Sequence, residues 1–80
     1  MSRFDMGRLP VLDGDDVVRA FQRAGWRMTR RKGSHVIMQR DGYEATLSVP
    51  VHAGRAVKRG TLRALIKDAG MTVEDFTDML

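Results

Sequence analysis

The apolar residues of this chain change period along its length. Val17, Val18, Phe21 and Ala24 recur at helical spacing behind Asp13, a residue type suited to capping. That pattern predicts a helix from Asp13 through about Ala24, with Arg19 and Gln22 or Arg23 outside its apolar stripe. Gly25 stands where a left-handed C-terminal cap is expected. From Trp26 the period falls to two: Trp26, Met28 and Arg30 alternate with Arg27, Thr29 and Arg31, which reads as a strand over 26–31. Lys32-Gly33-Ser34 is a short break, and His35 to Arg40 reads as a second strand. Asp41-Gly42 signals a tight turn into a third strand, Tyr43 to Val49. Pro50 ends that strand because it has no N–H to give to a ladder.

Val51 to Arg59 reads as a basic, glycine-containing loop. A second helix is expected over Thr61 to Ala69, with Leu62, Leu65 and Ile66 on one face and Gly70 as its stop. Thr72, with Asp75 three residues on, marks a short final helix whose Phe76, Met79 and Leu80 fold back on the core. Before Asp13 there is no clean period, and Pro10 argues for an extended lead-in. The expectation is one domain over residues 1–80, with 1–8 a flexible extension. Its class is α+β: helix, three-stranded antiparallel sheet, helix, short C-terminal helix, with the helices on one face of the sheet. Strand alternation turns Trp26, Met28, Val36, Met38, Leu47 and Val49 toward the helices. It turns Arg27, Thr29, Arg31, His35, Gln39, Thr46 and Ser48 outward.

Composition narrows the function classes. Eighty residues hold a single core, and 42% hydrophobic content is enough to build one. With no cysteine there is no disulfide framework and no thiolate chemistry, and two histidines alone argue against a structural zinc site. No metal or other cofactor is expected. No apolar run approaches a membrane span, and the N-terminus does not read as a signal peptide, so the expected setting is the cytoplasm. The net charge of +4 is unevenly spread. Between Arg19 and Arg63 the chain carries +9, while the flanks on either side are acidic. Most of the cations are Arg, whose planar fork suits phosphate. A basic centre on so small a domain is the footprint of a nucleic-acid binder, although a merely solvated surface has the same arithmetic.

Two residues can carry chemistry. His35 follows Gly33-Ser34 and the cations Arg30, Arg31 and Lys32. An imidazole can take a proton from a ribose 2′-hydroxyl, and neighbouring cations can stabilise charge building on phosphate. Gly33 permits close approach, and Ser34 can donate to a phosphate oxygen. His52, after Pro50, is a candidate second acid/base group or a structural residue of the loop. Arg27, Arg30, Arg31 and Lys32 are candidate RNA contacts on the sheet. Lys58, Arg59 and Arg63 are candidates around the start of the second helix, where N–H groups and cations can hold a phosphate. The ordinary reading of each is a solvated charge or a surface histidine, and Trp26 reads as core.

The chain resembles the HicA family of toxin ribonucleases, the mRNA interferases of toxin–antitoxin pairs. The resemblance rests on Ala24-Gly25-Trp26, Lys32-Gly33-Ser34-His35, Ser48-Val49-Pro50 with His52, Gly60-Thr61-Leu62-Arg63, Ile66-Lys67, Ala69-Gly70 and Glu74-Asp75-Phe76. It runs from about Leu9 to Leu80, with mild variation at Ala56-Val57. It implies a fold like a double-stranded-RNA-binding domain and metal-independent cleavage of mRNA, with the family's essential histidine at His35. It also implies a HicB-type antitoxin as partner, with the toxin alone a monomer and the pair a hetero-oligomer. Two other classes stay open on sequence grounds: a non-catalytic RNA- or DNA-binding module of the same fold, and a protein-interaction subunit.

Overall fold

The computed structural model describes residues 9–80; the expected extension over residues 1–8 lies outside the described residues. Asp13 caps the first helix, α1 (Gly14–Arg23), through a reciprocal box: its carboxylate accepts from the Asp16 N–H, and Asp16 accepts from the Asp13 N–H. Val17, Ala20 and Phe21 on its inner side are fully buried. The helix closes at Ala24, and Gly25, at φ 101°, turns the chain sharply enough to drop Trp26 into the core. The sheet follows as β1 (Arg27–Lys32), β2 (His35–Gln39) and β3 (Leu47–Pro50), antiparallel in that order. Then come α2 (Arg59–Asp68) and α3 (Val73–Thr77), the latter capped by the Thr72–Asp75 box. The helices cover one face of the sheet. This is the α+β architecture expected, consistent with a double-stranded-RNA-binding-domain-like fold.

The core is one cluster: Phe21 packs on Phe76 at 5.1 Å and on Trp26 at 6.4 Å between ring centroids. Val36, Met38, Leu47 and Val49 supply the sheet side, and Leu62, Leu65 and Ile66 the α2 side. Leu9 also belongs to it, so the described lead-in is tied to the core at its first residue. No described helix is long and apolar enough to cross a membrane.

Three expectations need correction. First, β1 does not alternate regularly. Arg27 and Met28 pair with Gln39 and Met38, but Arg30, Arg31 and Lys32 pair with Ile37, Val36 and His35, leaving Thr29 as the extra residue of a β-bulge. The cause lies at the two ends of the strand. Trp26 must enter the core, and the two-residue Gly33-Ser34 loop, with Gly33 at φ 61°, pairs Lys32 with His35 on the open face. These two demands are out of phase by one residue, and Thr29 absorbs the difference, its Oγ1 donating to the Ile37 carbonyl at 3.2 Å. Arg31 therefore shares the helix-side row with Val36, while Arg30 and Lys32 move to the open face. Met28 shares the row of Met38, yet on this edge strand it stays 51% exposed.

Second, the Asp41-Gly42 turn forms, but pairing does not resume until Leu47, so Tyr43 to Thr46 is not strand. Tyr43 packs its ring on Trp26 at 5.6 Å, with Arg40 stacked over it at 4.5 Å, which draws the chain off the line of the sheet. Third, α2 begins at Arg59, two residues before Thr61, and its cap residue Lys58 makes no side-chain cap.

Gly14 has the most crowded surroundings of the described glycines. A Cβ there would strike the Pro50 carbonyl oxygen and lie 2.6 Å from the Val51 Cα, both fixed backbone. Gly→Ala within a helix ordinarily stabilises by roughly 1 kcal/mol. At Gly14 the sign reverses: Gly14→Ala is expected to cost about 1–3 kcal/mol as overpacking. That lowers Tm by roughly 4–8 °C for each kcal/mol in a domain of this size. A melting curve that moved upward would refute the contact.

The Arg19 guanidinium, 2.6 Å from Asp16, holds the Asp16 carboxyl below its usual range, helped by the Asp13 N–H and opposed by partial desolvation. A depressed folded-state value contributes stability that is present above the ordinary carboxylate range and is lost as pH falls through the folded value. Asp16→Asn is therefore expected to flatten the acid side of a Tm-against-pH profile. An unchanged acid limb would assign that loss to other carboxylates.

Candidate active site

Two connections with different origins meet at the end of the sheet. One is the β1–β2 hairpin, which presents Lys32, Ser34 and His35. The other is the segment from Pro50 to Lys58, which crosses from β3 to α2. They are joined where the Val51 N–H donates to the Ser34 carbonyl at 2.6 Å. Beyond Val51 the chain makes a turn in which the Arg55 N–H donates to the His52 carbonyl at 3.0 Å, with Gly54 at φ 73°. A left-handed glycine at the third position is what a type II turn requires, and such a turn brings its first and last residues together. His52 and Arg55 are those residues. The loop is then fastened: Ala56 bridges to Asp13, Val57 donates to the Leu12 carbonyl at 2.8 Å, and the Val57 side chain is buried. The lead-in segment thus straps the loop against α2.

The result is an open cleft of about 420 Å³. His35 forms one side with Ser48 and Pro50 of β3. His52, Arg55, Ala56 and Val57 form the loop side, and Lys58 and Thr61 come from the start of α2. Ser34 does not line the cleft but supports it, its Oγ lying 3.4 Å from His52 Nε2 in a long hydrogen bond. His35, His52, Arg55 and Lys58 are all exposed, so water and a polymeric ligand both reach them. Neither Arg55 nor Lys58 has a carboxylate partner among the described residues. Hydroxyls, imidazoles and unpaired cations around one cleft can bind a phosphodiester and move its protons. No cluster of three His, Asp or Glu side chains with metal-binding geometry occurs among the described residues.

Of the residues singled out from sequence, the cleft gathers His35, His52 and Lys58. Lys32 pairs directly with His35 across the hairpin, and Arg30 lies two residues back on the same face. Arg27 shares that face farther along but is paired with Asp41 at 2.8 Å. Arg31 is on the other row, its Nε turned to the Gly33 carbonyl at 3.4 Å. Arg59 lines the neighbouring groove with Leu9, Pro10 and Val11, and Arg63 lies one helical turn past Arg59, outside the cleft. Sequence reasoning missed Arg55 and gave no role in the cleft to Ser48 or Thr61. The signal for Arg55 was present: Gly54 as third residue of His52-Ala53-Gly54-Arg55 marks a turn that sets the cation beside the imidazole.

The fold is a small α+β domain with a basic, histidine-bearing cleft at the end of its sheet. Comparison with known families makes this specific. A family model described as the HicA toxin of bacterial toxin–antitoxin systems matches residues 14–71, well over half of the chain. The chain belongs to the HicA toxin family, and as a toxin of such a system it has an antitoxin as counterpart. A search of curated proteins gave no match.

The site predicts where a small phosphate ligand registers. A nucleoside 3′-monophosphate, titrated by NMR, is expected to shift the amides of Ser48, His52, Arg55 and Thr61 and to leave those of α3 in place. Shifts centred on α3 or on α1 would show that the cleft is not the anion site.

Proposed function

We propose that this protein is the toxin component of a type II toxin–antitoxin system and acts as a metal-independent endoribonuclease on mRNA in the cytoplasm, restrained by a HicB-type antitoxin over the cleft. The observation that carries this reading is the convergence of His35 and His52, from separate elements, on one cleft walled by Arg55 and Lys58. His35 is the general base: it takes the proton of a ribose 2′-hydroxyl, and the 2′-oxygen attacks the adjacent phosphorus. The bond from phosphorus to the 5′-oxygen breaks, leaving a 2′,3′-cyclic phosphate and a 5′-hydroxyl. His52, steadied by Ser34, or a water molecule returns a proton to the leaving 5′-oxygen. Lys32, Arg55 and Lys58 offset the charge that gathers on the phosphoryl oxygens. The HicA membership supports the toxin role, and the basic sheet face supports an RNA substrate.

The test is growth and mRNA integrity after induction of the wild type beside His35→Ala, with purified protein assayed on RNA in EDTA. Loss of a general base removes about 10²–10⁴ in rate, so His35→Ala is expected to abolish both growth arrest and mRNA fragmentation at equal protein levels. Wild-type cleavage is expected to survive EDTA and to stop when the 2′-hydroxyl at the cut is replaced by hydrogen. RNA bound but never cut by the wild type would make the domain a non-catalytic RNA-binding module. Arrest that survives the substitution would remove His35 from the mechanism.

A further inference from the structure

The ribonuclease reading leaves unassigned how the substrate strand lies on either side of the scissile bond, and the bulge in β1 bears on this. Two cations project from the open face in line with His35. Lys32 is paired with it across the hairpin, and Arg30 sits in the next outward row, opposite Ile37, which separates it from Ser48 on β3. Residues two apart on one face of a strand are about 6.6 Å apart, comparable to successive phosphates of an extended single strand. Neither Lys32 nor Arg30 has a carboxylate partner among the described residues, whereas Arg27, next along the face, is neutralised by Asp41. Arg31 is out of line, held to the hairpin carbonyl of Gly33.

We propose that Lys32 and Arg30 form a two-phosphate track for a single RNA strand, one contacting the phosphate at His35 and the other its neighbour, and that the bulge at Thr29 sets the track by turning Arg31 off it. The proposal rests on the ribonuclease reading for its occupant. Regular alternation would have presented Arg31 in place of Arg30 and Lys32. The track ends where Asp41 meets Arg27, so two contacts are the expected count.

Binding to a mixed-sequence single-stranded 2′-deoxy oligonucleotide, which the proposed chemistry cannot cut, reads the track without turnover. Each phosphate contact on a single strand adds about 0.7 to the slope of log affinity against log salt, roughly fourfold in affinity near 0.15 M. Arg30→Ala and Lys32→Ala are each expected to lose one such increment, with Arg30→Lys and Lys32→Arg restoring it. Arg31→Ala is expected to match the wild type. On a cleavable RNA, Arg30→Ala raises KM with kcat little changed, while Lys32→Ala lowers kcat as well. Melting curves confirm that each variant is folded. Equal losses for Arg31→Ala and Lys32→Ala, or no loss for Arg30→Ala, overturn the track. A wild type that binds the oligonucleotide but cuts no RNA overturns the ribonuclease reading alone, and one that binds no strand overturns both.

Discussion

The strand β1 is held at both ends by demands that a regular strand of its length cannot meet together. At its start, Trp26 is 2% exposed and packs against Phe21 and Tyr43, so its side of the strand is fixed by the largest apolar group in the protein. At its end, a two-residue loop locks Lys32 opposite His35 while the next residue, Val36, enters the core. Turning Trp26 out would expose an indole, and turning Val36 out would place His35 against the helices. Either exchange costs far more than one unpaired residue in an edge strand. The bulge is thus the least costly solution, and it leaves the imidazole outward with Lys32 opposite it and Arg30 on the diagonal of the same face.

The second half of the site depends on a separate restraint. His52 and Arg55 lie on a connection that has no regular structure of its own, yet it is fixed at Val51 to the hairpin, at Ala56 to Asp13 and at Val57 to Leu12. Its approach is possible only because Gly14 has no side chain to meet Pro50 and Val51. The cap of α1, the strap before it and the loop of the cleft therefore form one packed junction. Disturbing Asp13 loosens the helix and the loop together, which makes a stability change there hard to separate from a change in activity.

Much of this was legible in the chain. Caps name themselves by residue type, so Asp13, Thr72 and Asp75 marked two helix starts, and Gly25 and Gly70 two helix ends. The inward rows of β2 and β3 followed from alternation because both strands carry strong apolar periodicity. In β1 alternation failed, since every residue from Arg27 to Lys32 is exposed and only the flanking Trp26 and Val36 carry phase information. Read together with the hairpin loop, those two residues contain the bulge; read one strand at a time, they conceal it. Tyr43 to Thr46 misled for a related reason: residues with strand propensity were taken over by an aromatic contact with Trp26. The burial of Leu9 and the closeness of Gly14 to Pro50 are long-range contacts with no local signature. In the cleft, the histidines and Lys58 were visible as residue types, and Arg55 was visible only through the turn chemistry of Gly54.

An exposed cleft has consequences for how such a toxin is controlled. The groups that would do the chemistry lie on the surface, and among the described residues there is no buried charge to tune them. A phosphate bound there would supply the anion that Arg55 and Lys58 lack among the described residues. Any partner that presents carboxylates to Lys32, Arg55 and Lys58 competes for the same charges, and attraction between opposite fields speeds its arrival over that of a neutral surface. Surface charge pairs add little affinity alone, so a durable inhibitor must also bury apolar area. Exposed apolar side chains include Val11 on the strap and Met28 on the edge strand. An antitoxin that grips either one while covering the imidazoles would owe its speed to the cations and its lifetime to the apolar contact.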